Sequence, residues 1–257
     1  VKSSHNVKQS PTSSSERASV EIRLSPERIV RFLGWVVVGL AAAHFLGQFS
    51  KHVLGYGSLK GMIPLFDLDL EFNIPSLYSG LSLIGCAMLL GAIALLKKQK
   101  RDRYLRHWQG LSLIFLLMGV DEIIELHERT IKPLRNALNA TGIFYFTWVI
   151  LGFVLVVLLA IAYRKFTLSL PPKTRNRFIL AASLFLLGTL GIELIGGYYA
   201  YIYGKENLIY SLWVALEEGL EMAGILVFIY ALLTYLRSLS DSITIHFERS
   251  LSAPTNN

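Results

Sequence analysis

The chain has 257 residues, 53% of them hydrophobic and only 17% charged, with a net charge of +7 and a mean hydropathy of +0.48. A soluble domain of this length carries about 25% charge. The composition therefore excludes an ordinary soluble domain and predicts an all-α polytopic membrane protein. The single cysteine, Cys86, excludes an internal disulfide or a thiolate metal cluster and reads as a small packing residue.

Residues 1–27 are rich in Ser, Lys and Arg and predict a disordered cytoplasmic tail. This charged lead is long for a signal peptide. The apolar run after it continues past Ala41-Ala42-Ala43, so the first helix is expected to be retained. Six spanning helices are predicted over 29–50, 75–96, 106–128, 143–163, 178–202 and 208–236, inside a transmembrane domain of 28–238. Each covers ~30 Å of hydrocarbon at ~1.5 Å per residue. Pro75 suits the first turn of the second helix. Pro171-Pro172 is expected in a loop, extending neither neighbouring helix. Residues 239–257 form a C-terminal tail.

The basic residues set the orientation. In a six-helix arrangement 19 of the 25 Lys and Arg fall on one side: in the leading tail, in the loops around 97–106 and 164–177, and after the last helix. The positive-inside rule then places both termini in the cytoplasm, for a cell (inner) membrane location. The basic loops face anionic headgroups rather than nucleic acid. A homo-oligomer is left open. Tyr198, Tyr199, Tyr201 and Tyr203 read as an outer aromatic belt.

The acids stand out against this background. Asp121, Glu122, Glu125 and Glu128 end the third predicted helix, Glu193 lies in the fifth, and Glu217, Glu218 and Glu221 lie in the sixth. Helix direction puts Asp121 roughly 20 Å along its helix and Glu217 and Glu221 about 15–20 Å below the outer surface. His44 falls at similar depth. On a continuous helix Asp121, Glu125 and Glu128 share a face, Glu122 is on the flank and His127 points away. The patterns Asp121-Glu122-x-x-Glu125 and Glu217-Glu218-x-x-Glu221 repeat on antiparallel helices, which suggests a 3+3 inverted repeat with a site at its interface.

An acid at the bilayer centre costs on the order of 2.5–3.5 kcal/mol. Deep Lys or Arg partners are missing from these helices, so protonation, a bound cation or a water-filled vestibule must stabilise the acids. A divalent metal held by Asp121, Glu125, Glu128, Glu193, Glu217, Glu221 and His44 is one solution, with Glu122, His127, Glu218, Asp69 and Glu71 secondary. A hydrated polar mouth without a bound ion is the plainer one. The loop Phe66-Asp67-Leu68-Asp69-Leu70-Glu71-Phe72 alternates apolar and acidic residues. Period two predicts an extended flap with Asp67, Asp69 and Glu71 on one face.

The run Asp69-x-Glu71-x-Asn73-x-Pro75, followed by Asp121-Glu122 and His127-Glu128, resembles an uncharacterised family of bacterial multi-pass membrane proteins over residues 66–128. That resemblance implies membrane architecture and no activity. The residue types are also similar to those of membrane hydrolases of the alkaline ceramidase type, but the HxxxH pair of that family is missing and its activity is not carried over. Three functions fit the residues: a cation- or proton-coupled transporter, a metal-dependent intramembrane enzyme, and a non-catalytic assembly or scaffold subunit. Glu-x-x-His, which marks di-iron helices, is missing; Glu125-x-x-Glu128 ends in an acid.

Overall fold

The computed structural model describes residues 19–22, 25–70, 72–239 and 243–246. They form two units. In the smaller, β1 (Ser19–Ile22) pairs antiparallel with β2 (Ile243–His246), Ser19 opposite His246 and Ile22 opposite Ile243. The two expected tails thus contain one short strand pair. Apart from the ends of the flanking helices, their other residues lie outside the described residues, as does Glu71.

The larger unit, Ser25–Leu239, is helical. In chain order it contains α1 (Pro26–His52), a 3₁₀ turn and α2 (Met62–Leu65), α3 (Ile74–Gln99), α4 (Leu105–Ile124), α5 (Leu126–Leu138) and α6 (Trp148–Ser169). A second long run follows: α7 (Pro172–Leu186), a π-turn (Leu187–Ile192) and α8 (Glu193–Tyr203). α9 (Leu208–Leu239) closes the unit.

Local chemistry fixes these ends. Pro26 opens α1 in its first turn, where a missing N–H costs nothing. Asn73 and Ser76 form a reciprocal capping box at α3, each side chain accepting the other's N–H at 3.1 Å. Pro172 does not sit in a loop as expected: it begins α7, with Pro171 before it, because a fixed φ suits a helix start. The third predicted helix is also not continuous. α4 stops at Ile124, Glu125 takes a left-handed conformation (φ 57°, ψ 40°), and α5 starts at Leu126.

Among the described residues five helical runs are long and apolar enough to cross a membrane: α1, α3, α6, Pro172–Tyr203 and α9. α4 has 20 residues, or about 30 Å, with Arg106 and His107 near one end and Asp121 and Glu122 near the other flanking a short apolar centre. Contacts along the bundle give the helix directions. Gly80 and Ile123 meet at one end of the α3–α4 pair, and Ala87 and Ser112 meet further along it, so α3 and α4 are antiparallel. Gly34 faces Leu226 and His44 faces Ser211, so α1 and α9 are antiparallel too. One end of the bundle gathers Trp108, Phe166, Phe178 and Tyr235. It also carries the basic connections between α3 and α4 and between α6 and α7.

Backbones come close at small residues. A Cβ on Gly119 would lie 2.8 Å from the Gly80 carbonyl, and one on Gly224 would lie 2.9 Å from the Ala181 carbonyl. Such crossings suit helices that associate by packing rather than by the hydrophobic effect. The buried core includes Leu90, Ile93, Leu232 and Cys86, whose thiol is fully enclosed. The outward surface is apolar, with Leu151, Phe153, Leu158 and Ile161 of α6 exposed. A helix apolar on all faces belongs in lipid or in a large core.

Candidate functional site

The break at Glu125 builds the site. It turns the chain back so that Asp121, on the last turn of α4, faces the first turn of α5. Asp121 Oδ1 accepts the His127 N–H at 3.1 Å, and Oδ2 lies 2.8 Å from His127 Nδ1. His127 therefore points into the site and not away from it, because the continuous helix assumed in the phase argument ends two residues earlier. The edge of its ring meets Trp148 at 4.9 Å between centroids. Trp148 Nε1 donates to Glu193 Oε1 at 2.9 Å. The Glu193 carboxyl is in hydrogen-bonding contact with that of Glu217. Five elements, α4, α5, α6, α8 and α9, thus place one continuous polar chain inside the bundle.

Two features hold it in place. Thr147 Oγ1 donates to the Ile131 carbonyl at 2.8 Å, and Arg135 Nε donates to the Tyr145 carbonyl at 2.8 Å, locking α5 onto the start of α6. On the other side the π-turn brings α9 close: a Cβ on Gly188 would lie 2.7 Å from the Glu217 carbonyl and 2.8 Å from Glu221 Cγ. Thr189, next in the turn, has a buried hydroxyl without a partner at normal hydrogen-bond geometry and lies beside Glu221. Glu122 is within electrostatic reach of Glu221, and Glu218 is within electrostatic reach of Glu217. π-turns inside helices recur at functional sites.

The acids of the third, fifth and sixth predicted helices therefore meet: Asp121, Glu122, Glu193, Glu217 and Glu221, with His127. Other expected members lie elsewhere. Glu125 occupies the break, where its N–H donates to the Asp121 carbonyl and its carbonyl accepts from Arg129. Glu128 is exposed at the mouth, near Asp69. His44 is buried beside Asp67, its Nδ1 3.4 Å from Asp67 Oδ1, and not among these acids; its Nδ1 accepts the Leu68 N–H at 3.0 Å and its Nε2 faces the Ser211 carbonyl at 3.4 Å. The repeated five-residue patterns also fold differently, since Glu125 is left-handed and Glu221 is helical.

The loop before α3 is a packed turn rather than an extended flap. Asp67 and Leu68 are both buried, which period two forbids. Asp67 Oδ1 accepts the Asp69 N–H, and Asn73 Nδ2 donates to the Asp67 carbonyl at 2.6 Å. Side-chain bonds to backbone of this kind favour turns over strands. Above the carboxyls, Tyr210 donates to Asp69 Oδ1 at 2.7 Å, and Lys205 Nζ lies 3.7 Å from the same oxygen.

Trp148, Thr189, Tyr210 and Lys205 were missed in the sequence. Thr189 was the most findable, a lone hydroxyl between Gly188 and Gly191 in an apolar run. Gly196, Gly197 and Gly219 lie in regular helix. Among the described residues, no group of three or more His, Cys, Asp or Glu is placed to hold a metal ion.

No curated protein and no solved structure matches the chain. A family model described as a domain of unknown function, DUF8692, matches residues 30–236. With several apolar helices of membrane-spanning length, that domain agrees with the expected likeness to an uncharacterised membrane family in its general part. Since the match takes in most of the chain, the protein belongs to the DUF8692 family.

Proposed function

We propose that this protein is a six-span membrane protein that binds and releases protons at the Glu193–Glu217 pair, and that it couples this to transport. The observation that carries the reading is the contact between the carboxyl groups of two half-buried glutamates from neighbouring helices. Two carboxylates in contact repel, so a shared proton is the simplest way to hold them together. Sharing also relieves the penalty of an ionised acid in hydrocarbon, on the order of 2.5–3.5 kcal/mol. Around the pair, the Trp148 indole fixes Glu193, His127 and Asp121 offer a second exchangeable group, and Glu221 extends the chain inward.

A proton site fits this donor set better than a divalent metal, which needs several oxygens converging on one point. Orientation follows from charge: the basic loops face the cytoplasm and the acidic end faces outward. α4 supplies the sixth crossing.

The test is proton uptake into proteoliposomes under an imposed pH gradient, with a pH-sensitive dye inside. Glu193→Gln and Glu217→Gln should each reduce uptake to the level of empty liposomes while the protein still purifies as a folded species. Uptake unchanged in both variants would refute the proposal. Uptake indistinguishable from empty liposomes in the unmodified protein would favour a structural role for the acids.

A further inference from the structure

A cavity opens at the basic end of the bundle, about twenty ångströms from the carboxyls if measured along α4 from Trp108 to Asp121. It encloses about 380 Å³, within the range of small-ligand sites, roughly 300–1,000 Å³. Its inner wall is aromatic. Trp108 and Phe166 are each 1% exposed, and Tyr235 stacks on Trp108 at 5.3 Å. Its rim is charged. Lys97 Nζ sits 2.9 Å from Asp102 Oδ2 and 5.6 Å from the Tyr235 ring centre. The Arg103 guanidinium lies 4.7 Å over the Tyr104 ring.

Among the described residues Asp102 is the only acid lining this cavity, and both its oxygens are engaged: one by Lys97, the other by the Tyr104 N–H at 2.8 Å. It therefore shapes the loop rather than presenting a free negative charge. Two cations against one anion leave the rim positive. A site with a cationic rim over an aromatic floor fits an amphiphile with an anionic head. A soluble anion would use the rim and leave the floor unpaired. The position agrees: Lys97 is in the last turn of the membrane-length helix α3, where long basic side chains reach the headgroup layer.

We propose that this cavity binds the phosphodiester headgroup of an anionic phospholipid, with the phosphate between Lys97 and Arg103 and the glycerol and first methylenes against Trp108 and Tyr235. This site is independent of the proton pair and stands or falls separately from it.

The experiment uses the full-length protein in detergent, titrated with brominated phosphatidylglycerol, reading quenching of tryptophan fluorescence. Saturable quenching should appear and should be lost in Trp108→Phe. Lys97→Gln and Arg103→Gln should each weaken apparent affinity on the order of fivefold, the effect of one basic residue near a lipid surface. Arg106→Gln, exposed and outside the cavity lining, should leave it unchanged. Ser169→Leu narrows the cavity with every charge retained and should also weaken binding. Equal loss in Arg103→Gln and Arg106→Gln would overturn the proposal in favour of diffuse surface attraction. Quenching by brominated phosphatidylcholine that matches the glycerol lipid and ignores both charge variants would overturn it as well. Displacement of the lipid by millimolar inorganic phosphate would assign the rim to a soluble anion instead. Arg103 is exposed, so its variant keeps the test decisive even if Lys97→Gln fails to fold.

Discussion

Asp67 and Asp69 sit two residues apart in one loop, and the fold acts on them in opposite directions. Burial raises Asp67, but His44, the Asp69 N–H and Gln48 outweigh it and leave the carboxyl below its ordinary range. Burial also raises Asp69, and Lys205 and Tyr210 offset this only in part, while Asp67 and Glu128 add repulsion. The linkage signs follow. Asp67 contributes stability above the ordinary carboxylate value of ~4, and this is lost as pH falls through its lowered folded value. Asp69 favours the folded state when protonated, so its contribution is full at low pH and is lost as pH rises through its raised value. Asp67→Asn should destabilise at neutral pH by about 1–3 kcal/mol, the cost of disturbing a buried hydrogen-bonded group. Asp69→Asn should be neutral or stabilising there and should flatten the pH dependence just above ~4. Thermal unfolding of the solubilised protein across that range checks both. Alternation along the sequence treats these residues alike. What separates them is His44, more than twenty positions away, which no local pattern reveals. The same holds for His127. A left-handed non-glycine residue costs roughly 1–2 kcal/mol, so nothing in the letters around Glu125 announces the break that turns His127 inward.

Among elements, the α3–α4 pair is the tightest test of packing. Gly119→Ala would set a Cβ 2.8 Å from both the Gly80 carbonyl and the Ile84 side chain. Overpacking of this kind costs about 1–3 kcal/mol, more than the ~1 kcal/mol that alanine gains over glycine in a helix. Gly85→Ala on the same α3 meets nothing within 4 Å and should be neutral or stabilising. Unfolding both variants in mixed micelles of increasing denaturing detergent separates them; equal midpoints would contradict the close crossing. The elements themselves were largely legible. Long apolar runs declare themselves by length, and Asn73-x-Pro75-Ser76 marks the start of α3 by capping chemistry. The amphipathic helix α5 was not legible as a separate element, because its first turn continues the composition of α4.

For the whole molecule, crossing number is the sharpest consequence of the contacts. α1 and α9 are antiparallel neighbours. A chain that enters by one and leaves by the other crosses an even number of times, so the proposed six-span reading adds α4 to the five apolar runs. Ser58→Cys, between α1 and α3, and Lys100→Cys, between α3 and α4, test this. Both positions are exposed, and Cys86 is fully buried and needs no replacement. A membrane-impermeant maleimide should label Ser58→Cys on intact cells and Lys100→Cys only after lysis. Labelling of both from one side would contradict the arrangement.

The π-turn has one more consequence. Gly188 and Glu193 are five residues apart, which on a regular α-helix leaves them about 140° out of phase. The i→i+5 ladder of the π-turn closes much of that gap, so both reach α9. The run Pro172–Tyr203 therefore carries two registers joined at a splice. Shifting the splice by a single hydrogen bond toward regular α-helix would rotate the upper half by roughly 100°. That rotation would carry Glu193 off both Trp148 and Glu217 while the lower half stayed packed on Phe228. The bonded position of this carboxyl would thus be undone by a twist of one helix, without an opening of the bundle.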